Sequence, residues 1–393
     1  MNPLGAVSAA DYTDRMPAPL LSPDTGLDPA WPEYAGSVRA ALLGGALGDA
    51  LGARGHAERP ARPGATGADA VPGPQGAGGP ATVLRISDGT QLTLYTLDAL
   101  QEVVEWANQG HAADETACLW LAYLRWLRTQ GERPPAEAPQ PLPRPIDELE
   151  ALHAVREPDA TVLEALRSGR MGEVERPLLP DAKGAGPVRR SAPFGLLPHV
   201  GWRTLAPLAI NGAALTHGHP EAQTAAAVHG FVVHAAVRAR REGVPRPVAA
   251  AVAAARETAG HLTRPVAETL ARLDDAVRAA ERADVDPGAL PRLLGAGGAA
   301  PETLAGGLGA ALRAEAEAAG APDPRAVFRR AVELGTAHGA APAATGAVAG
   351  AVTGAACGTA ALPPEWLARL DARDAVSGTA ERWLREVGAP PAA

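Results

Sequence analysis

The chain has 393 residues, enough to bury a large core in one large domain or two to three ordinary ones. Glycine (44) and proline (38) make up about a fifth of it, yet there is no G-x-y period, and long Ala/Leu/Val/Arg stretches keep helical spacing. Collagen and wholesale disorder are therefore excluded. The net charge of -8 argues against nucleic acid or an anionic membrane as a partner. Cys118 and Cys357 lie too far apart for a disulfide framework or a zinc pattern and fit a reduced, cytoplasmic setting. The first residues have neither a basic nor an apolar region, so no signal peptide is expected. The uncharged stretch 339–362 is Ala, Gly and Thr, too weakly apolar for a membrane span.

Residues 1–36 are rich in Pro and Asp and predict a loose tail, with the folded region over 37–388. Ser37 offers an N-cap for a helix to about Ala53, in which Gly44, Gly48 and Gly52 share one face. Such a stripe costs helix propensity, and its use is the close approach of another backbone. A Gly/Pro loop over 54–81 follows, too long for a simple connector. Helices are predicted from Thr90 to about Gln109 and from Asp114 to Thr129, then an extended, solvated Pro-rich insert over 130–147. Thr161 to Ser168 reads as a short helix, and 171–200 as mostly loop. His219 or Thr216 caps a helix that begins at Pro220 and reaches about Arg241. Further helices are expected at 246–259, 263–283, 301–319 and 324–336. Thr345 is expected to cap a second glycine-striped helix, with Gly346, Gly350, Gly354 and Gly358 on one face. One or two short helices from Trp366 to about Val387 close the chain. No strand pair or hairpin signal appears, so the class is all-α, with the two striped helices as candidates to pack together at the centre.

Five segments carry chemistry, in this order. They are Gly44-Gly-Ala-Leu-Gly48-Asp49-Ala-Leu-Gly52, then Ser87-Asp88-Gly89-Thr90-Gln91-Leu92-Thr93-Leu94, then Lys183-Gly-Ala-Gly186-Pro-Val-Arg189-Arg190-Ser-Ala-Pro193-Phe-Gly195-Leu196. Thr216-His217-Gly218-His219-Pro220 and His338-Gly-Ala-Ala341-Pro-Ala343-Ala344-Thr345-Gly346 complete the set. The first resembles the N-terminal signature of the ADP-ribosylglycohydrolase family (dinitrogenase reductase-activating glycohydrolase-like). The next three resemble its T-D-D-T-Q-x-T-L, K-G-x-G-x-V-M-R-x-A-P-x-G-L and T-H-G-x-P motifs. The last is similar to H-G-G-D-x-D-x-T-G in degraded form. The resemblance covers about residues 38 to 385. It implies a single-domain orthogonal bundle of helices and a hydrolase that releases ADP-ribose from a modified protein or small molecule.

The same resemblance implies two Mg²⁺ ions held by hydroxyl and carboxylate oxygens, which position the ribose and a water. Ser87 and Asp88 fall on the first two ligand positions, with Asp88 also the candidate catalytic carboxylate. The third position is Gly89, which has no side chain. In the last motif the ligand positions fall on Ala341, Ala343 and Ala344. At most one weakly bound Mg²⁺ is then expected, at a residual half-site of Ser87 and Asp88. His56 stands where the family often has a loop Glu, with Glu58 and Asp69 as possible stand-ins. The resemblance places Gly184, Gly186, Arg190, His217 and Gly218 at an ADP-ribose-like pocket, where glycines would admit a pyrophosphate.

The residues themselves leave alternatives open. His217 could instead order the turn before Pro220, and Asp88 could cap the helix at Thr90. For Asp49, a buried structural hydrogen bond is favoured over catalysis. Three functions follow: a binding or regulatory pseudoenzyme for ADP-ribose-like nucleotides or an ADP-ribosylated protein, a working hydrolase with an altered or single-metal mechanism, or a structural, partner-binding protein with a closed pocket.

Overall fold

A computed structural model describes residues 19–57, 83–282, 287–318 and 323–390. Among these, the chain is a bundle of helices with three isolated β-bridges and no named strand. The helices are α1 (Pro32–Ala57), α2 (Asp88–Asn108), α3 (Glu115–Thr129), α4 (Ala160–Arg167), α5 (Gly186–Arg189), α6 (Trp202–Ala214), α7 (Pro220–Arg241) and α8 (Pro247–Ala259). They continue as α9 (Ala267–Glu281), α10 (Leu290–Leu294), α11 (Ala300–Glu317), α12 (Pro324–Thr336), α13 (Pro342–Cys357), α14 (Pro364–Leu367) and α15 (Arg373–Glu386).

The glycine stripes meet. A Cβ on Gly48 would lie 1.9 Å from the Gly346 carbonyl oxygen, one on Gly44 2.5 Å from that of Gly350, and one on Gly52 2.2 Å from that of Pro342. In return, Gly350 faces the Gly44 carbonyl and Gly354 that of Ala40. The pairs run in opposite chain directions, so α1 and α13 are antiparallel and touch backbone to backbone. Each glycine costs about 1 kcal/mol of helix propensity, offset by dispersion and Cα–H···O contact over the whole seam. Beside this pair stands α7, buried without a break from Glu221 to Ala239, as a helix at the centre of a bundle must be.

Several expectations need correction. Residues 19–36 are not a loose tail: Leu21 and Leu27 are buried, Arg238 donates to the Gly26 carbonyl (2.6 Å), and α1 begins at Pro32. The insert over 130–147 is anchored, not free. Ala138 and Ile146 are buried, and Arg144 donates to Asp98 (2.9 Å) and Glu105 (2.9 Å). Residues 202–214, unassigned above, form α6 despite Pro207 inside it; Leu205, Ala209 and Ile210 bury its inner face. Thr345 is not a cap. Pro342 opens α13, and the Thr345 hydroxyl lies inside it, donating to the Gly335 carbonyl (2.6 Å). Of the loop expected over 54–81, α1 takes residues up to Ala57, and Glu58 and Asp69 lie outside the described residues.

Candidate functional site

Asp49 projects from α1 toward the start of α2, one turn before the place where Gly52 touches α13. Its carboxylate is 1 % exposed and accepts three hydrogen bonds: from the Ser87 amide (2.7 Å), the Ser87 hydroxyl (2.6 Å) and the Thr90 hydroxyl (2.5 Å). Burial pushes its pKa up, against the pull of Arg189 and these donors. Asp49 thus fastens α1 to α2, the structural role favoured from sequence.

Ser87, not Asp88, is the N-cap of α2, its hydroxyl oxygen accepting from the Gly89 amide (3.1 Å). The same oxygen accepts from Arg189 Nη2. With its proton given to Asp49 and both lone pairs taken, the Ser87 hydroxyl is saturated. Asp88 is 2 % exposed; one carboxylate oxygen accepts from Arg189 Nη2 (2.6 Å) and the other from the Asp159 amide (3.0 Å). Arg189 also stands 3.9 Å from Asp49. Burial alone would loosen the arginine's proton, but Asp88 and Asp49 together hold it more firmly than usual.

Gly89 lies under that guanidinium: a Cβ there would come within 2.5 Å of Arg189 Nε and Nη2. Arg189 was not singled out from sequence. The available signal was its place in the motif, where the resemblance has methionine. A cavity of about 20 Å³, the size of a single water site, is bordered by Gly45, Thr90, Thr93, Arg189 and His229. His229 donates from Nδ1 to the Val188 carbonyl (2.9 Å), and burial pushes its pKa down to about 4.

The other predicted residues gather around His217. Arg190 Nη2 donates to the Thr216 hydroxyl (2.7 Å), which lies 2.9 Å from His217 Nδ1. With one lone pair taken by Arg190, the Thr216 hydroxyl keeps its proton and a second lone pair, so it can donate to Nδ1 or accept from it. Burial, then the charge of Arg190, pushes the His217 pKa down to about 3, so the ring is neutral. Its Nε2 is buried, has no hydrogen-bond partner among the described residues and faces the 184–186 loop. A Cβ on Gly186 would sit 2.9 Å from His217 Cε1, and one on Gly184 3.3 Å from Nε2. The immediate use of these glycines is thus to admit an imidazole. An antiparallel bridge between Gly184 and Ala299 ties the loop to the start of α11.

Two residues expected at the pocket do other work. Arg190 is 1 % exposed and bonded to Tyr123, Gly212 and Thr216, so it acts on His217 through Thr216 and through its charge. Gly218 packs on the 177–180 segment, its amide donating to the Leu179 carbonyl (3.0 Å). His219, as one sequence alternative had it, caps α7. At the start of α13, Ala341 is the residue before the helix, while Ala343 and Ala344 follow in its first turn and bring no side-chain oxygen. His338 donates from Nε2 to the Gly295 carbonyl (2.8 Å), holding the loop before α11. Among the described residues no helix is long and apolar enough to cross a membrane.

An all-α bundle with a carboxylate–hydroxyl cluster at its centre and a histidine-backed glycine loop beside it defines the class of protein. The ADP-ribosylglycohydrolase family model matches residues 30–392, and the chain belongs to that family. No curated protein matches it. Among solved structures, a chain of an "ADP-ribosylglycohydrolase-related protein complex" is similar at 22 % identity and a TM-score of 0.47, covering 90 % of this chain and 99 % of that one.

Proposed function

We propose that this family member is a binding or regulatory protein for an ADP-ribose-like group and does not carry out two-metal hydrolysis. The observation that carries the reading is His217: a neutral, buried imidazole whose Nε2 has no partner among the described residues and faces a glycine loop. A buried polar nitrogen left unpaired costs about 1–3 kcal/mol, and a polar atom of a ligand would recover it. Phosphate oxygens and ribose hydroxyls both supply such atoms.

The metal side supports the non-hydrolytic half. Two Mg²⁺ ions need hard oxygen ligands and charge neutralisation. Gly89, Ala341, Ala343 and Ala344 bring no side-chain oxygen, the Ser87 hydroxyl is saturated, and Asp88 is paired with Arg189. These residues do not fit a binuclear site.

Thermal melts with and without ADP-ribose, beside an assay for ADP-ribose release from modified arginine and serine peptides, test the reading. A ligand that binds only the folded state raises its apparent stability, so a rise in melting temperature with no release is expected in EDTA and in Mg²⁺ alike. Release overturns the non-hydrolytic half. The absence of any thermal shift indicates a closed pocket and overturns the binding half.

A further inference from the structure

The two departures from the family motifs at positions 89 and 189 touch each other. One removes a carboxylate position, the other adds a cation, and they lie 100 residues apart in sequence. We propose that Arg189 is the site's built-in cation: its guanidinium takes the place of a divalent ion among Ser87, Asp88 and Asp49, and residue 89 is glycine because the guanidinium fills the space of its side chain. The inference rests on the reading above that the site no longer holds two metals.

The geometry supports this on three counts. Nη2 reaches both Ser87 Oγ and Asp88 Oδ1 (2.6 Å), the two oxygens that the family resemblance assigns to a metal. The same nitrogen is 3.9 Å from the Asp49 carboxylate, so one charge serves two buried acids. The volume is also exclusive, since a Cβ at Gly89 would overlap Nε, Nη2 and Cζ at 2.5–2.7 Å. A buried carboxylate pair without a cation is strongly unfavourable, and a planar guanidinium suits a carboxylate and a neighbouring hydroxyl. Unlike a metal ion, it coordinates no water, so it does not supply the metal-bound nucleophile of two-metal hydrolysis.

A thermal double-mutant cycle tests the contact. Gly89→Ala is expected to lower the melting temperature by about 5 °C in the parent chain and by less than half as much when Arg189→Met is also present. Arg189→Met with Asp88→Asn, which also removes the stranded charge, provides a second background should the single change not fold. Mn²⁺ then tests the replacement. Gly89→Asp together with Arg189→Met should gain an Mn²⁺-dependent rise in melting temperature that neither the parent nor Gly89→Asp alone shows. Equal penalties for Gly89→Ala in all backgrounds overturn the inference. So does an Mn²⁺ rise with Arg189 in place, or none in the double variant. Release of ADP-ribose by the parent chain would defeat the proposed function and leave these results standing, so the two failures are distinguishable.

Discussion

Small residues serve opposite ends in two parts of this molecule. Along the α1–α13 seam, Gly44, Gly48, Gly346 and Gly350 are small because a partner backbone occupies the place of a side chain. At the start of α2, Gly89 is small because an arginine guanidinium does. The first space is filled by atoms that cannot move without parting two helices. The second is filled by the far end of a side chain held by an ion pair. A glycine's meaning thus depends on what stands opposite it, and the two regions should respond differently to the same substitution.

The largest expected effect is at the seam. Gly48→Ala drives a methyl into the Gly346 carbonyl and should cost more than about 3 kcal/mol in equilibrium denaturation. Gly45→Ala, on the same helix but 3.4 Å from the Ala351 Cβ, should change stability by less than about 1 kcal/mol. Equal effects at the two positions would dissolve the comparison. Next, Arg190→Met removes a buried cation from Tyr123, Gly212 and Thr216 and should cost about 3 kcal/mol. By releasing Thr216 it should also weaken ADP-ribose binding, which separates a positioning role from a purely structural one.

Acid sharpens the picture further. In the unfolded chain an imidazole takes its proton near pH 6.5, but folded His217 and His229 resist until about 3 and about 4. Between those limits the unfolded state binds more protons, so stability falls as pH falls, by about 2 kcal/mol per histidine at pH 5. Denaturation of the parent and of His229→Gln between pH 7 and 5 measures this, the variant losing one histidine's share of the slope. The smallest effect is on ligand affinity. His217→Gln should weaken ADP-ribose binding about tenfold in calorimetry, the worth of one hydrogen bond.

Much of the helical order is legible from periodicity and capping residues. His219 caps the helix that follows it, and the pairing of the two stripes follows from their four-residue spacing. Helix α6 was hidden by Pro207, which reads as a break but is carried by the packing of Leu205, Ala209 and Ile210. Pro342 moved the start of α13 ahead of Thr345 because proline suits a first helical turn. The lack of side-chain oxygens at Gly89, Ala341, Ala343 and Ala344 is visible in sequence, and Gly184, Gly186 and His217, singled out there, meet in the fold. What fills the space above Gly89 is not visible in sequence, because Arg189 joins it only through the tertiary fold. Arg190 was drawn toward the pocket by its motif, although its burial with Tyr123 places it in the core.

The central claim is that an arginine, not a metal pair, balances the acids of this site. Calorimetric titration of the purified protein with Mn²⁺ tests it most directly. The account predicts no saturable heat at the concentrations that load a carboxylate-rich binuclear site. Tight binding of two ions per chain, abolished by Asp88→Asn, would contradict it.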